Sequence, residues 1–239
     1  MERKPGLRYA AASERGGRER NEDSFFASEI AGYHLFAIAD GLGGHASGDT
    51  ASRIAVATLE ERVGEGLGDT KPSTLLERAF QHANTALCAY NRENHQNAAS
   101  TLSAAIIDGS GRCWIGTVGD SRTYIISPSA VWHTRDQSYV QSLVDAGLLS
   151  PEEATFHPRK NILTQALGLG ARVQVDLDER DITGSILVMS SDGLHDYAPE
   201  SAIHDIVITD EPDAACRRLI DAARDAKSTD NITVIVART

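Results

Sequence analysis

Apolar positions along the chain fall into two rhythms. Between residues 49 and 63, Ala51, Ile54, Ala55, Thr58, Leu59 and Val63 recur at three- and four-residue spacing. Between 73 and 90, Leu76, Ala79, Phe80, Ala83, Ala86, Leu87 and Tyr90 do the same. Both segments predict amphipathic helices, with Pro72 suited to the first turn of the second. A third helix is expected over 211–226, on Ala215, Leu219, Ile220 and Ala223. Elsewhere the apolar residues run together, at 33–39, 101–107, 113–118, 123–126, 186–189 and 232–237. Short runs that are apolar at nearly every position read as strands covered on both faces. Residues 7–11 and 173–177 are expected to add edges. Strands grouped in the middle, with helices before and after, do not alternate as in a doubly wound fold. Two stacked sheets flanked by helices fit better.

No repeat or low-complexity linker divides the chain; the mildest break is the glycine-rich stretch 64–72. One domain over 1–239 is expected, with the helical, loop-rich stretch 137–170 as a flap or subdomain. Hydrophobic residues make up 41% of the chain, enough for a substantial core. The net charge of −11 argues against a nucleic-acid partner, which requires a basic face. The start of the chain is polar, and no apolar run is long enough to cross a bilayer, so no membrane association is expected. Cys88, Cys113 and Cys216 are far apart and form no CxxC pair, which suits reduced thiols in the cytoplasm.

The aspartates carry the chemistry. Asp40 ends the run Phe36-Ala-Ile-Ala-Asp40 and precedes Gly-Leu-Gly-Gly44; Asp120 ends Ile115-Gly-Thr-Val-Gly-Asp120. Asp192 ends Ile186-Leu-Val-Met-Ser-Ser-Asp192 and precedes Gly193, whereas Asp230 opens Asp230-Asn-Ile-Thr-Val-Ile-Val236. In antiparallel sheets the end of one strand lies beside the start of its neighbour, so these carboxylates can gather at one rim. Two carboxylates about 4 Å apart repel by roughly 4 kcal/mol at an effective dielectric near 20. Such a cluster calls for a divalent cation or for protons. All-oxygen ligands select hard ions, Mg²⁺ or Mn²⁺. Taken singly, each Asp-Gly is an ordinary turn signal; the weight rests on their coincidence.

Five strings, Arg18-Glu-Arg-Asn-Glu-Asp23, Asp40-Gly-Leu-Gly-Gly44, Gly119-Asp-Ser-Arg122, Ser190-Ser-Asp-Gly193 and Thr229-Asp-Asn-Ile-Thr233, occur in an order that resembles the type 2C, metal-dependent (PPM) serine/threonine protein phosphatases. The compact length is similar to the prokaryotic branch. The resemblance implies an α+β fold of four layers, α-β-β-α, with two antiparallel sheets in a central sandwich flanked by helix pairs. It implies two core Mn²⁺ or Mg²⁺ ions sharing a bridging water that attacks a phosphoserine or phosphothreonine ester. Asp40 then bridges both ions and Gly41 offers its carbonyl. Asp192 and Asp230 complete the second ion, and Glu22 coordinates directly or through water, with Asp23 in the same metal network. Asp120 resembles the ligand of a weaker third ion, and Arg18 the phosphate-binding arginine. The implied partners are phosphoprotein substrates and a cognate serine/threonine kinase or its targets, with the chain itself a monomer.

Departures accompany the likeness. Leu42 stands where many eukaryotic members carry a histidine proposed as general acid, and Gln137 stands where relatives often have histidine. His45 follows the metal turn and is read mainly as a local hydrogen-bonding residue. Arg122 is read as orienting Asp120. Two other readings of the same fold remain: a catalytically silent phosphoprotein-binding scaffold, and a phosphatase dedicated to one partner-switch protein. A cysteine phosphatase is excluded because none of the cysteines is followed by arginine six positions later.

Overall fold

The computed structural model describes residues 6–43 and 46–239. The chain begins with strands β1 (Arg8–Glu14), β2 (Asp23–Ile30) and β3 (Tyr33–Leu42), then helices α1 (Ala46–Gly66) and α2 (Pro72–Asn94). Strands β4 (Ala99–Ser100), β5 (Leu102–Ile107), β6 (Arg112–Val118), β7 (Arg122–Ser127) and β8 (Ala130–His133) follow. Short helices α3 (Tyr139–Asp145) and α4 (Pro151–Thr155) lead to β9 (Asp176–Asp181) and β10 (Ile186–Ser190). Helices α5 (Asp192–His195), α6 (Glu200–Thr209) and α7 (Pro212–Asp225) precede the last strand, β11 (Ile232–Arg238). Among the described residues, no helix is long and apolar enough to cross a membrane.

All strand pairings are antiparallel. One sheet has the order β1-β11-β10-β7-β8; the other runs β2-β3-β5-β6-β9, with β4 added on β3. Because side chains alternate across a strand, each strand serves two layers. On β3, Leu35, Ala37 and Ala39 face α1 and α2, where they meet Leu59, Leu76, Phe80 and Leu87. Its other face sends Phe36 and Ile38 between the sheets, against Ile115, Leu187, Met189 and Ile235. The second sheet buries Val188, Val234 and Val236 outward, against Leu219 and Ile220 of α7 and Ile203 and Val207 of α6. The layers are therefore α-β-β-α, as expected from the resemblance.

Several elements differ from the sequence reading. Strand β2 was not expected, because an edge strand with a half-exposed pattern carries little hydrophobic signal. The edge expected at 173–177 lies instead at Asp176–Asp181, an almost wholly polar strand paired to β6. Charge on such an edge discourages pairing with other chains, and it also hides the strand from a hydrophobicity reading. Helix α6 carries its period only on Ile203, Ile206 and Val207 within ten residues.

The sandwich interior changes character along its length. At its centre it is apolar, through Phe36, Leu187 and Ile235. Toward one end the same inward positions become hydroxyls: Ser103 Oγ lies 2.8 Å from Thr123 Oγ1, and Ser13 Oγ lies 2.7 Å from Thr233 Oγ1. Beyond that layer stands Asp40, two residues after Ile38 on the same face of β3, with Asp23 directly opposite it on β2. The apolar centre should dominate stability. Ile235→Ala is expected to lower the unfolding free energy by about 2–5 kcal/mol, measured by chemical denaturation. Phe25→Ala, at a position 41% exposed, should cost far less.

Candidate metal centre

At the hydroxyl-lined end of the sandwich lies a cavity of about 680 Å³. Its walls include Arg18, Glu22, Asp40, Gly41, Asp120, Asp192 and Asp230, together with Leu42, Asn161 and Leu163. Nearly every residue expected at a metal site thus comes to one place from five separate chain segments. Asp23 is the exception. It lies behind the wall, where its Oδ2 accepts from Ser191 Oγ at 2.8 Å and Thr233 Oγ1 at 2.6 Å. That position suits support of the wall rather than direct ligation. Gly44 and His45 lie outside the described residues.

Backbone contact explains how the segments approach. A Cβ on Gly41 would stand 2.0 Å from the Gly48 carbonyl oxygen, and a Cβ on Gly48 would stand 2.5 Å from Glu22 Oε2 and 2.9 Å from the Gly41 carbonyl oxygen. Only two facing glycines let the Gly41 carbonyl and the Glu22 carboxylate share this corner. A Cβ on Gly193 would lie 1.9 Å from the Asn231 carbonyl oxygen, so the Asp192 turn and the Asp230 turn touch through backbone alone. Asp40 is held by its peptide groups: its N–H donates to Thr101 Oγ1 at 2.9 Å, and its carbonyl accepts from Ser100 Oγ at 2.9 Å.

The carboxylates are crowded and poorly solvated. Burial first, then the neighbouring Asp23, Asp192, Asp120 and Asp230, hold Asp40 well above the usual carboxylate range. Asp120 is raised well above it by burial and by Asp192. Burial and Asp230 push Asp192 up to about 7, and burial pushes Asp23 up to about 6. Oδ1 of Asp23 and Oδ1 of Asp192 are buried without a hydrogen-bond donor. Arg18 meets part of this excess charge, donating from Nη2 to Asp230 Oδ2 at 2.6 Å. Among the described residues, no three His, Cys, Asp or Glu side chains are grouped so that they could hold a metal ion as they stand. The carboxylates line a common cavity, with Arg18 bound to Asp230. Oxygen-only donors, orphaned carboxylate oxygens and the glycine-framed carbonyl together suit a hard divalent cation.

A model of the family described as protein phosphatase 2C matches residues 12–210. The chain belongs to the protein phosphatase 2C family. It is 36% identical over 239 residues to the serine/threonine protein phosphatase PstP of Mycobacterium tuberculosis, a match covering 97% of this chain and 45% of PstP. It thus spans less than half the length of that relative. It is 37% identical over 235 residues to the protein phosphatase PhpP of Streptococcus pneumoniae, covering 91% of this chain and 92% of PhpP. A serine/threonine phosphatase from Staphylococcus aureus superposes with a TM-score of 0.92 at 29% identity, over 100% of this chain and 97% of that one. The catalytic domain of PstP in complex with two manganese ions superposes with a TM-score of 0.84 at 33% identity, over 97% of both chains.

Details of this protein phosphatase 2C chain correct the local readings. Arg122 does not orient Asp120; it forms a half-buried fork with Asp136, Nε to Oδ1 at 2.8 Å and Nη2 to Oδ2 at 2.7 Å. Gln137 ties the turn instead. Its Oε1 accepts from the Gly119 N–H at 3.0 Å, and its own N–H donates to the Gly119 carbonyl at 2.8 Å. His195 faces Ser190 Oγ at 2.9 Å, and burial pushes its imidazole well below the usual range. Asn231, next to Asp230, is buried and its side chain is fully engaged. A second polar residue beside a metal-type aspartate was the available signal.

The raised carboxylates imply a definite pH response. Unfolded aspartate titrates near about 3.9, whereas folded Asp23 and Asp192 hold their protons to about 6 and about 7. Through that window the folded chain binds protons that the unfolded chain has released, so stability falls as pH rises. Without metal, Tm is expected to be higher near pH 5 than at pH 8, with the slope reduced in Asp192→Asn. Added Mn²⁺ should raise Tm most at pH 8. A metal-free Tm that climbs toward pH 8, unaffected by Asp192→Asn, would contradict the crowding.

Proposed function

We propose that this chain is a metal-dependent phosphatase that hydrolyses phosphoserine and phosphothreonine esters on proteins. The observation that carries the reading is the convergence of Asp40, Asp120, Asp192 and Asp230 with Arg18 on one cavity, where burial and mutual repulsion disfavour the charged forms of Asp40, Asp120 and Asp192. Membership of the protein phosphatase 2C family and the two manganese ions of the PstP catalytic domain support it.

Asp40, the Gly41 carbonyl, Glu22, Asp192 and Asp230 would hold two Mn²⁺ or Mg²⁺ ions, with Asp40 placed to serve both. Asp23 supports the wall, and Asp120 is the candidate holder of a third ion. When bound, such ions acidify water and offset the charge of phosphoryl oxygens. The remaining work belongs to side chains of this protein. Arg18 stands at the exposed mouth, where its planar fork can take two phosphate oxygens while Asp230 engages the cations. Asn161 and Leu163 line the cavity from the stretch between β8 and β9 and would flank the phosphorylated residue. The apolar Leu42 at the wall supports water as the proton source for the leaving hydroxyl.

The substrates in this reading are phosphoproteins, with a cognate serine/threonine kinase or its targets as partners. Three unpaired cysteines support a reducing, cytoplasmic setting.

Phosphate release from a phosphothreonine peptide tests the proposal. Release is expected with Mn²⁺ or Mg²⁺, none with EDTA, and a loss of about a thousandfold in kcat for Asp40→Ala or Asp192→Ala. Arg18→Ala should chiefly raise KM, by about tenfold. A folded protein that releases no phosphate with either ion, but still binds the phosphopeptide, would instead be a scaffold.

A further inference from the structure

The loop that joins β1 to β2 carries Arg18 and Glu22 and contributes much of the cavity mouth. It has no regular structure of its own, so something outside it must hold its shape. Asn21 Nδ2 donates to Ser13 Oγ at 2.8 Å and the Gly41 N–H to the Glu22 carbonyl at 3.1 Å, but one side chain makes three further ties. Asn231, 4% exposed, donates from Nδ2 to the Arg15 carbonyl and to the Arg20 carbonyl, each at 2.8 Å, and its Oδ1 accepts from the Glu22 N–H at 2.8 Å. One amide thereby ties both ends of the loop. Its own N–H donates to Asp230 Oδ1 at 2.8 Å, and Asp230 Oδ2 receives Arg18 at 2.6 Å. The loop also lies flat on this segment, since a Cβ on Gly16 would stand 1.9 Å from the Asp230 carbonyl oxygen.

We propose that Asn231 is a positioning residue that sets Arg18 and Glu22 against the carboxylates by clamping the Arg15–Glu22 loop. The chemistry of the amide explains the residue type. Two donors and one acceptor are needed on one short side chain, and asparagine supplies them at the reach required. Aspartate keeps the shape and the acceptor for Glu22, but turns a second acceptor toward two carbonyls. Alanine leaves three backbone groups without a partner near a buried position, which frees both ends of the loop.

The inference rests on the phosphatase reading only for its kinetic consequence, so the test has two arms. The loop contains Arg15, Arg18 and Arg20, which are natural trypsin sites. In the full chain without metal, Asn231→Ala is expected to speed tryptic cleavage after these three residues by about tenfold, with other sites unchanged. In the Mn²⁺-loaded enzyme, KM for a phosphothreonine peptide should rise by about tenfold, as for Arg18→Ala. The double variant Arg18→Ala/Asn231→Ala should raise KM no further than either change alone, because one residue acts through the other. Should the alanine variant not fold, Asn231→Asp carries both arms, with cleavage concentrated after Arg15 and Arg20. Unchanged loop cleavage, cleavage raised equally at all sites, or KM effects that multiply in the double variant would each overturn the proposal. If the wild-type enzyme shows no turnover, the phosphatase reading fails, and the trypsin arm still decides whether Asn231 clamps the loop.

Discussion

Like charges forced together at the end of a β-sandwich set the terms for the rest of this structure. A cavity opens at one rim, and five chain segments deliver carboxylates into it. Asp40, Asp120 and Asp192 are poorly hydrated and face other carboxylates, so their charged forms are disfavoured until a cation is supplied. A site of this kind is a store of unfavourable free energy. It can persist only because the backbone that holds it is over-determined by apolar layers on both faces of each sheet and by direct backbone contact at Gly41, Gly48 and Gly193.

The transition from core to site is graded. Phe36 and Ile38 pack between the sheets, Asp40 follows on the same face, and hydroxyls of Ser191 and Thr233 hold the partner carboxylate of Asp23. Hydroxyl side chains suit the intermediate layer because each can donate to a carboxylate while accepting from the backbone, as Ser191 Oγ does from the Thr233 N–H at 3.0 Å. Polar satisfaction below the rim lets the unsatisfied oxygens concentrate at the rim itself, where a cation can use them.

Amide side chains brace two loops at the site. Asn231 fastens the loop bearing Arg18, and Gln137 fastens the Asp120 turn to the base of the stretch that supplies Asn161 and Leu163. Amides are neutral, so they brace an acidic site without adding charge to it. A histidine at position 137 would bring a titratable group to the same turn, and glutamine avoids that.

The sequence by itself determined the continuous apolar runs that build two covered sheets, the helices at 49–63, 73–90 and 211–226, and the placement of Asp40, Asp120, Asp192 and Asp230 at strand ends. Strong apolar periodicity and abrupt Asp-Gly turns are local signals, so they are legible along the chain. Strand β2, the polar edge β9 and helix α6 were not read, because half-exposed or short elements gain their stability from neighbours rather than from their own pattern. Tertiary structure alone decided that Asp23 faces Asp40 across a strand pair, that Arg122 serves Asp136, and that Asn231 reaches Arg15, Arg20 and Glu22. These partners lie 14 to more than 200 residues away or on the opposite strand. Polar side chains carry no periodicity, and which partner each one finds is set only when the layers have packed.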